Sequence, residues 1–415
     1  MKLVKRLINQ IGNVISLRTS LLVGFSFVLS TVLNYSFQIM SGRYLGSDKY
    51  GLLAGLIAVM SVTTVGLSAY QIQTAKVIAT GKTGLPPKVV DGQFINVTRV
   101  GIFGFLVLLS LTPFASYFWD VGLLPIIFVC VFVFPAAWDS IAAGRFQGGK
   151  NFAGLAGYNL SQSAMKMLSL ILVIVLGLGV TSIVGLLTIS AAVVALLGLE
   201  KTKGLGTSNI RGFDSETRRI IGTNALFWMM LSMDVIIAHQ ALGSDAGNYA
   251  AASTISKALL WTPALVIQIL FPHLSSRNLL DGGMFGLIKK GALTTGLIAG
   301  SSAVALSIIG PTMVQSLYGD SFDGAGHDLW KLCFALVPFS VAQFLMSVHF
   351  VNGHVYLFWV MLGATIIEGV ALFMLGTDLS SFSIIIGVTG LALSSMLVLF
   401  GENAKAFNLP KKTGI

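Results

Sequence analysis

Apolar residues run along this chain in blocks of about twenty, separated by short polar connections. That length matches a hydrocarbon core about 30 Å thick, crossed at about 1.5 Å per helical residue. The blocks predict twelve helices, near 20–42, 50–72, 90–112, 121–143, 153–177, 181–199, 219–241, 247–271, 285–309, 327–350, 355–375 and 383–401. The connections near 178–180 and 351–354 are the least marked, and losing either pair of spans would leave ten helices. Ahead of the first block, Leu3, Leu7, Ile8, Ile11 and Ile15 share one helical face, which predicts a short interfacial helix over 3–17. No small-residue cleavage pattern marks this segment as a removable signal.

Composition confirms the class. Of 415 residues 55% are hydrophobic and 10% charged, against about 45–50% and about 25% in soluble domains. No stretch is left for a soluble catalytic domain, so the chain is not read as an enzyme. The net charge of +10 becomes informative once the blocks are placed. With a cytoplasmic N-terminus, 21 of the 26 Lys and Arg fall on the cytoplasmic side, at both termini and the even-numbered connections. The opposite face collects Asp48, Asp120, Asp245, Asp320, Asp323, Asp328 and Asp378. The basic excess is therefore a topology signal and not a nucleic-acid footprint, which needs a basic patch on a soluble module. Cys130 and Cys333 sit inside apolar blocks and read as buried hydrophobes, with neither a disulfide framework nor a metal site indicated. The near P-loop at Gly144–Asn151 lacks the closing Ser/Thr and follows a membrane helix where a strand is required, so ATP hydrolysis and any cofactor requirement drop out.

The two halves echo each other. Leu45-Gly46-Ser47-Asp48 recurs as Leu242-Gly243-Ser244-Asp245, each after the first helix of a six-helix half and followed by Tyr50 or Tyr249. Phe146-Gln147-Gly148 has a counterpart in Phe350-Val351-Asn352-Gly353, and Pro135 pairs with Pro338. The expected architecture is all-α, with about twelve transmembrane helices in two pseudo-symmetric six-helix lobes. Residues 1–200 form the first, 201–210 a cytoplasmic linker and 211–415 the second.

Polar residues inside the blocks are the candidate site. Ser30, Asn34, Gln38 and Ser41 recur on one face of helix one, and Ser61, Thr64, Ser68 and Gln71 on one face of helix two. Helix five carries Asn159, Gln162, Ser163, Lys166 and Ser169, and helix eight Ser253, Lys257, Trp261 and Gln268. Such stripes serve either a wet cavity or hydrogen bonds between helices. Charges discriminate better, because a Lys or Asp at a helix centre costs about 2.5–3.5 kcal/mol even on the mild insertion scale. Lys166 and Lys257 lie deep, and Arg43 closes helix one. Among the acids, Asp234 and Glu368 lie within spans and Asp139 near the inner end of helix four. These carboxylates stand either for ion coupling or for structural pairing with a buried lysine.

The run Asn34-Tyr35-Ser36-Phe37-Gln38, then Gly42-Arg43-Tyr44-Leu45-Gly46 and Tyr50-Gly51, resembles the start of polysaccharide and O-antigen flippases of the multidrug/oligosaccharidyl-lipid/polysaccharide (MOP) exporter superfamily. The second half is similar too, at Asp234-Val235-Ile236-Ile237, Tyr249-Ala250-Ala251-Ala252-Ser253, Ile255-Ser256-Lys257 and Phe271-Pro272. The resemblance implies a MATE-like transporter with a central cavity lined chiefly by helices one, two, seven and eight. It implies a lipid-linked oligosaccharide substrate, undecaprenyl-diphosphate-linked, carried across the bacterial inner membrane by alternating access amid membrane lipids. Candidate partners are H+ or Na+ as coupling ion and a polysaccharide polymerase. On this reading Arg43, Lys166 and Lys257 hold the anionic head, while Asn34, Gln38, Ser68, Gln71, Asn159, Gln162 and Ser253 bind the sugar. Asp234, Glu368 and Asp139 are the ion-coupling candidates. The alternative is a cation-coupled multidrug exporter of the same superfamily, which the lack of an acid in helix one disfavours.

Overall fold

The computed structural model describes residues 17–79, 92–205, 215–261, 263, 266, 283–352 and 356–403. The expected interfacial helix over 3–17 (apart from Leu17), Gln268 and linker residues 206–210 lie outside the described residues. All regular structure among the described residues is helical. We label the α-helices α1 Leu17–Ala79, α2 Gly92–Trp119, α3 Leu123–Val131, α4 Val133–Gly148, α5 Phe152–Leu176 and α6 Val180–Lys201. They continue as α7 Ser215–Leu242, α8 Ala246–Ser256, α9 Gly283–Tyr318, α10 Asp323–Asn352, α11 Leu357–Leu375 and α12 Leu379–Asn403.

These labels do not count crossings. Among the described residues ten helical runs are long and apolar enough to span a bilayer, not twelve. The deficit does not arise at 178–180, where α5 ends on left-handed Gly177 and α6 starts at Val180. It arises because Leu21–Ala79 and Arg218–Trp261 are single runs of 59 and 44 residues, roughly 88 and 66 Å of helix at 1.5 Å per residue. Each is broken at the glycine of the repeated Leu-Gly-Ser-Asp motif, Gly46 (φ 73°) or Gly243 (φ 55°). A positive φ is open to glycine at no steric cost, so each half turns on one residue and needs no loop.

Two further breaks follow from proline. Pro135 has no N–H for the Val131 carbonyl, and one span, Leu123–Gly148, divides at Phe132 into α3 and α4. Past α8 the helix tightens to a 3-10 turn at Lys257–Trp261. Pro263 leaves the Leu259 carbonyl without its helical donor, and Ser340 Oγ of α10 donates to that oxygen at 3.4 Å.

The chain divides into two units. The first comprises 1–45 and 56–214, the second 46–55 and 215–415. In the first, Leu67 of α1, Val97 of α2 and Val133, Ala137 and Ile141 of α4 form one buried cluster. Small residues set the helix spacing. A Cβ on Gly144 would stand 2.6 Å from the Gln71 carbonyl oxygen, and one on Gly148 2.7 Å from that of Ala75, so α4 lies directly on the backbone of α1. Asn151 caps α5 by accepting from the Gly154 N–H at 2.8 Å.

In the second unit the segment 46–55 of α1 seats on the start of α8. Tyr50 is fully buried, 5.8 Å from the rings of both Tyr318 and Phe322. A Cβ on Gly247 would lie 1.9 Å from the Ser47 carbonyl oxygen, and one on Gly51 2.7 Å from Ala246 Cβ. The first copy of the repeated motif therefore packs on the backbone at the start of α8, just past the second copy. Of the glycine pairs spaced GxxxG, Gly51 does pack closely, whereas a Cβ on Gly300 would meet nothing within 4 Å. The Ser47 contact involves backbone and cannot rotate away, so Gly247→Ala should destabilise the protein by about 2 kcal/mol or more. Gly300→Ala should leave the unfolding midpoint in detergent unchanged or slightly raised, as read by intrinsic fluorescence on heating.

Candidate functional site

The candidate charges lie in both units, and the two lysines meet different fates. In the second unit, α7 presents Asp234 and α8 presents Tyr249, Ser253 and Lys257 at intervals of four residues, hence on one face. All three converge on the same carboxylate. Tyr249 Oη donates to Asp234 Oδ2 at 2.8 Å and Ser253 Oγ to the same oxygen at 3.1 Å. Lys257 Nζ donates to Oδ1 at 2.9 Å in an ion pair whose side chains are 24% and 3% exposed. Lys257 is thus not the free cation that its depth suggested; it is the counter-ion of Asp234. Ser253 is likewise spent on Asp234 and is 1% exposed, so it faces no sugar.

Glu368 of α11 lies at the same place. A Cβ on Gly369 would be 2.4 Å from Met233 Sδ, so α11 approaches α7 closely beside Asp234, and Thr365 Oγ1 donates to the Leu226 carbonyl at 3.3 Å. Glu368 is 1% exposed, within electrostatic reach of both Asp234 and Lys257, and its Oε2 has no hydrogen-bond partner among the described residues. The cluster holds two carboxylates and one ammonium. Two buried carboxylates with a single ammonium leave one negative charge over, which a proton or a metal cation would have to neutralise.

In the first unit, Lys166 stands near the middle of α5 and is half-buried. Its Nζ donates to Asn34 Oδ1 of α1 at 3.3 Å and lies 4.4 Å from the centroid of the buried Phe37 ring. Asn34 is fixed in turn, its Nδ2 donating to Ser163 Oγ at 3.0 Å. Among the described residues no carboxylate pairs with Lys166. An ammonium has three donors, and one weak hydrogen bond plus a ring face leaves it able to take an anion. Arg43, three residues before the Gly46 break, is exposed and makes no ion pair among the described residues.

The remaining candidates scatter. Asp139 of α4 is half-buried, and its Oδ1 accepts from Tyr158 Oη at 2.7 Å and from Gln162 Nε2, both of α5. Gln162 is therefore tied to Asp139 and is not a free sugar ligand. Ser68 donates back to the Val65 carbonyl of its own helix at 2.6 Å, as Ser61 and Thr64 do to Ile57 and Met60, so the helix-two stripe is largely self-satisfied. Gln71 donates to Gln147 at 3.3 Å. Gln38 is half-buried and Asn159 exposed. Phe37, Tyr158 and Tyr249 are the site residues that polarity missed, since each is an aromatic whose role depends on a charge on another helix. The spacing Tyr-x3-polar-x3-Lys, present at 158/162/166 and at 249/253/257, was the available signal.

A family model described as polysaccharide biosynthesis protein matches residues 39–326. No curated protein matches the sequence significantly. Among solved structures, the lipid II flippase MurJ in its inward closed conformation is similar with TM-score 0.66 at 10% identity, over 94% of this chain and 88% of that one. A MATE-family multidrug resistance transporter of the MOP superfamily, inward-facing, gives 0.63 at 14%, over 92% and 96%. A MOP superfamily transporter from Pyrococcus furiosus, described as having a binding pocket of reverse polarity, gives 0.55 at 12%, over 94% and 95%.

The Lys257–Asp234 pair makes a stability prediction. Removing one partner of a buried pair costs about 3 kcal/mol or more, because the other charge stays behind. Lys257→Met should lower the unfolding midpoint in detergent strongly, and adding Asp234→Asn should recover most of the loss. A double variant no better than Lys257→Met would mean that the pair is not the cause.

Proposed function

Because the chain belongs to the polysaccharide biosynthesis protein family and has the fold of MOP-superfamily transporters, we propose that it flips a lipid-linked oligosaccharide across the bacterial cytoplasmic membrane by alternating access. The observation that carries this reading is Lys166, a half-buried ammonium at mid-span, steadied by Asn34 and the Phe37 ring, with no carboxylate in contact among the described residues. A diphosphate carried through a low-dielectric region without a counter-charge faces a penalty of tens of kcal/mol by Born solvation in the limit. A charge-assisted hydrogen bond from an ammonium lowers it. Lys166 is the headgroup ligand, Arg43 a second cation, and the exposed Asn159 with Gln38 supplies hydrogen bonds to sugar hydroxyls. Both termini face the cytoplasm, and the product passes to a polymerase on the far side.

The Asp234–Lys257–Glu368 cluster takes the coupling role. Its surplus carboxylate changes charge only by gaining or losing a proton or a sodium ion, which links the packing of α7, α8 and α11 to the ion gradient. A multidrug exporter would need an acid open to a bulky cation, and Glu368, the surplus acid, is 1% exposed.

Lys166→Met should abolish surface-polysaccharide export in a deletion strain while the protein still reaches the membrane, with drug tolerance unchanged. Normal export by this variant removes Lys166 from the reading. Glu368→Gln should retain substrate binding but lose the stimulation of flipping by an imposed ion gradient in reconstituted vesicles. Gradient-dependent flipping at the normal rate would separate Glu368 from coupling.

A further inference from the structure

Asp139 is a half-buried carboxylate that the headgroup reading leaves without a role. Along α5, Tyr158, Gln162 and Lys166 follow at intervals of four and share a face, with Tyr158 and Gln162 both donating to Asp139 Oδ1. Along α8, Tyr249, Ser253 and Lys257 have the same spacing, and all three donate to Asp234. Each unit sets an aspartate of one membrane helix against a tyrosine, a neutral polar side chain and a lysine on successive turns of the next. The arrangements part at the lysine, which begins a 3-10 turn in the second unit and lies within α5 in the first. Lys257 closes on the second oxygen of its aspartate, whereas Lys166 turns to Asn34 of α1. Among the described residues Asp139 then has no cation and Lys166 no carboxylate.

Resting on the diphosphate reading above, we infer that Asp139 is a positioning residue. It is the resident carboxylate that takes up Lys166 when the diphosphate leaves, as Asp234 holds Lys257. Helix geometry favours the exchange. Long side chains on a helix lean toward the preceding turn, which for Lys166 is the level of Gln162 and its bond to Asp139. The second unit demonstrates the reach, since a lysine four residues beyond Ser253 touches the aspartate that Ser253 binds. The exchange also answers a physical need. An ammonium that bound diphosphate with no competitor would not release it, and one left bare between cycles would carry the cost of an unpaired buried charge.

The test uses the purified full-length chain in detergent, with farnesyl diphosphate as a soluble isoprenyl diphosphate. If Lys166 rests on Asp139 for about nine-tenths of the time, the apparent affinity of the free chain is lowered about tenfold. Asp139→Asn should then tighten binding about tenfold, and Asp139→Glu should restore the weaker value. Lys166→Met should abolish binding, and adding Asp139→Asn to it should change nothing, because Asp139 acts only through Lys166. Binding by Asp139→Asn within twofold of the parent, or a gain that persists without Lys166, overturns the inference while leaving the diphosphate reading intact. If neither parent nor Asp139→Asn binds, the diphosphate reading fails, and a measurement without ligand decides the inference. Modification of Lys166 by trinitrobenzenesulfonate, mapped by mass spectrometry, should be severalfold faster in Asp139→Asn than in the parent and slow again in Asp139→Glu. An unchanged rate overturns the pairing.

Discussion

An ammonium or carboxylate inside a bilayer must find a counter-charge, water or a proton, and the placement of every functional group here follows from that requirement. Lys257 meets it within its own unit, against Asp234, in a bond completed by Tyr249 and Ser253. Lys166 meets it only in part, with an amide oxygen and an aromatic face. The proposed roles rest on this asymmetry. A lysine already holding a carboxylate is poorly placed to accept a phosphate, whereas one held by neutral groups keeps its charge available. Two residues that look equivalent along the chain, each deep in a span beside serines and glutamines, are chemically distinct because of what the neighbouring helix presents.

The helix breaks place these groups at mid-membrane. Gly243 turns the chain on a single positive-φ residue, which keeps α7 and α8 adjacent and lets Tyr249, Ser253 and Lys257 face Asp234. The 3-10 turn at Lys257–Trp261, whose Leu259 carbonyl is taken by Ser340, starts at the lysine itself. In the first unit, Gly144 and Gly148 let α4 press on α1, and Asp139, five residues before Gly144, is directed to α5. Close backbone packing thus does structurally what it must for the electrostatics: it leaves the charged side chains few directions to point.

Much of this was legible in the sequence. Twenty-residue apolar blocks follow from the thickness of hydrocarbon, and the family followed from short runs such as Gly42–Gly46. The breaks at Gly46 and Gly243 were legible too, from the repeated Leu-Gly-Ser-Asp motif, although helix continues on both sides of each glycine so that ten unbroken runs stand where twelve separate blocks were read. The polar stripes told less than they promised. Ser61, Thr64 and Ser68 bond their own helix carbonyls, an option open to any serine or threonine in a span, so their spacing could not distinguish a cavity wall from a satisfied helix. The sequence left open whether Lys166 and Lys257 are paired, since that depends on residues 23 positions away (Asp234) or 132 positions away (Asn34).

The central claim is that Lys166, and not Lys257, receives the anionic head of the transported lipid. A photoreactive isoprenyl diphosphate, crosslinked to the full-length protein in native membranes and mapped by mass spectrometry, tests it directly. The account predicts adducts on α5 around Lys166 and on α1 around Asn34 and Phe37, lost on competition with unlabelled isoprenyl diphosphate. Competable adducts concentrated between Ser253 and Trp261, with none near Lys166, would contradict it.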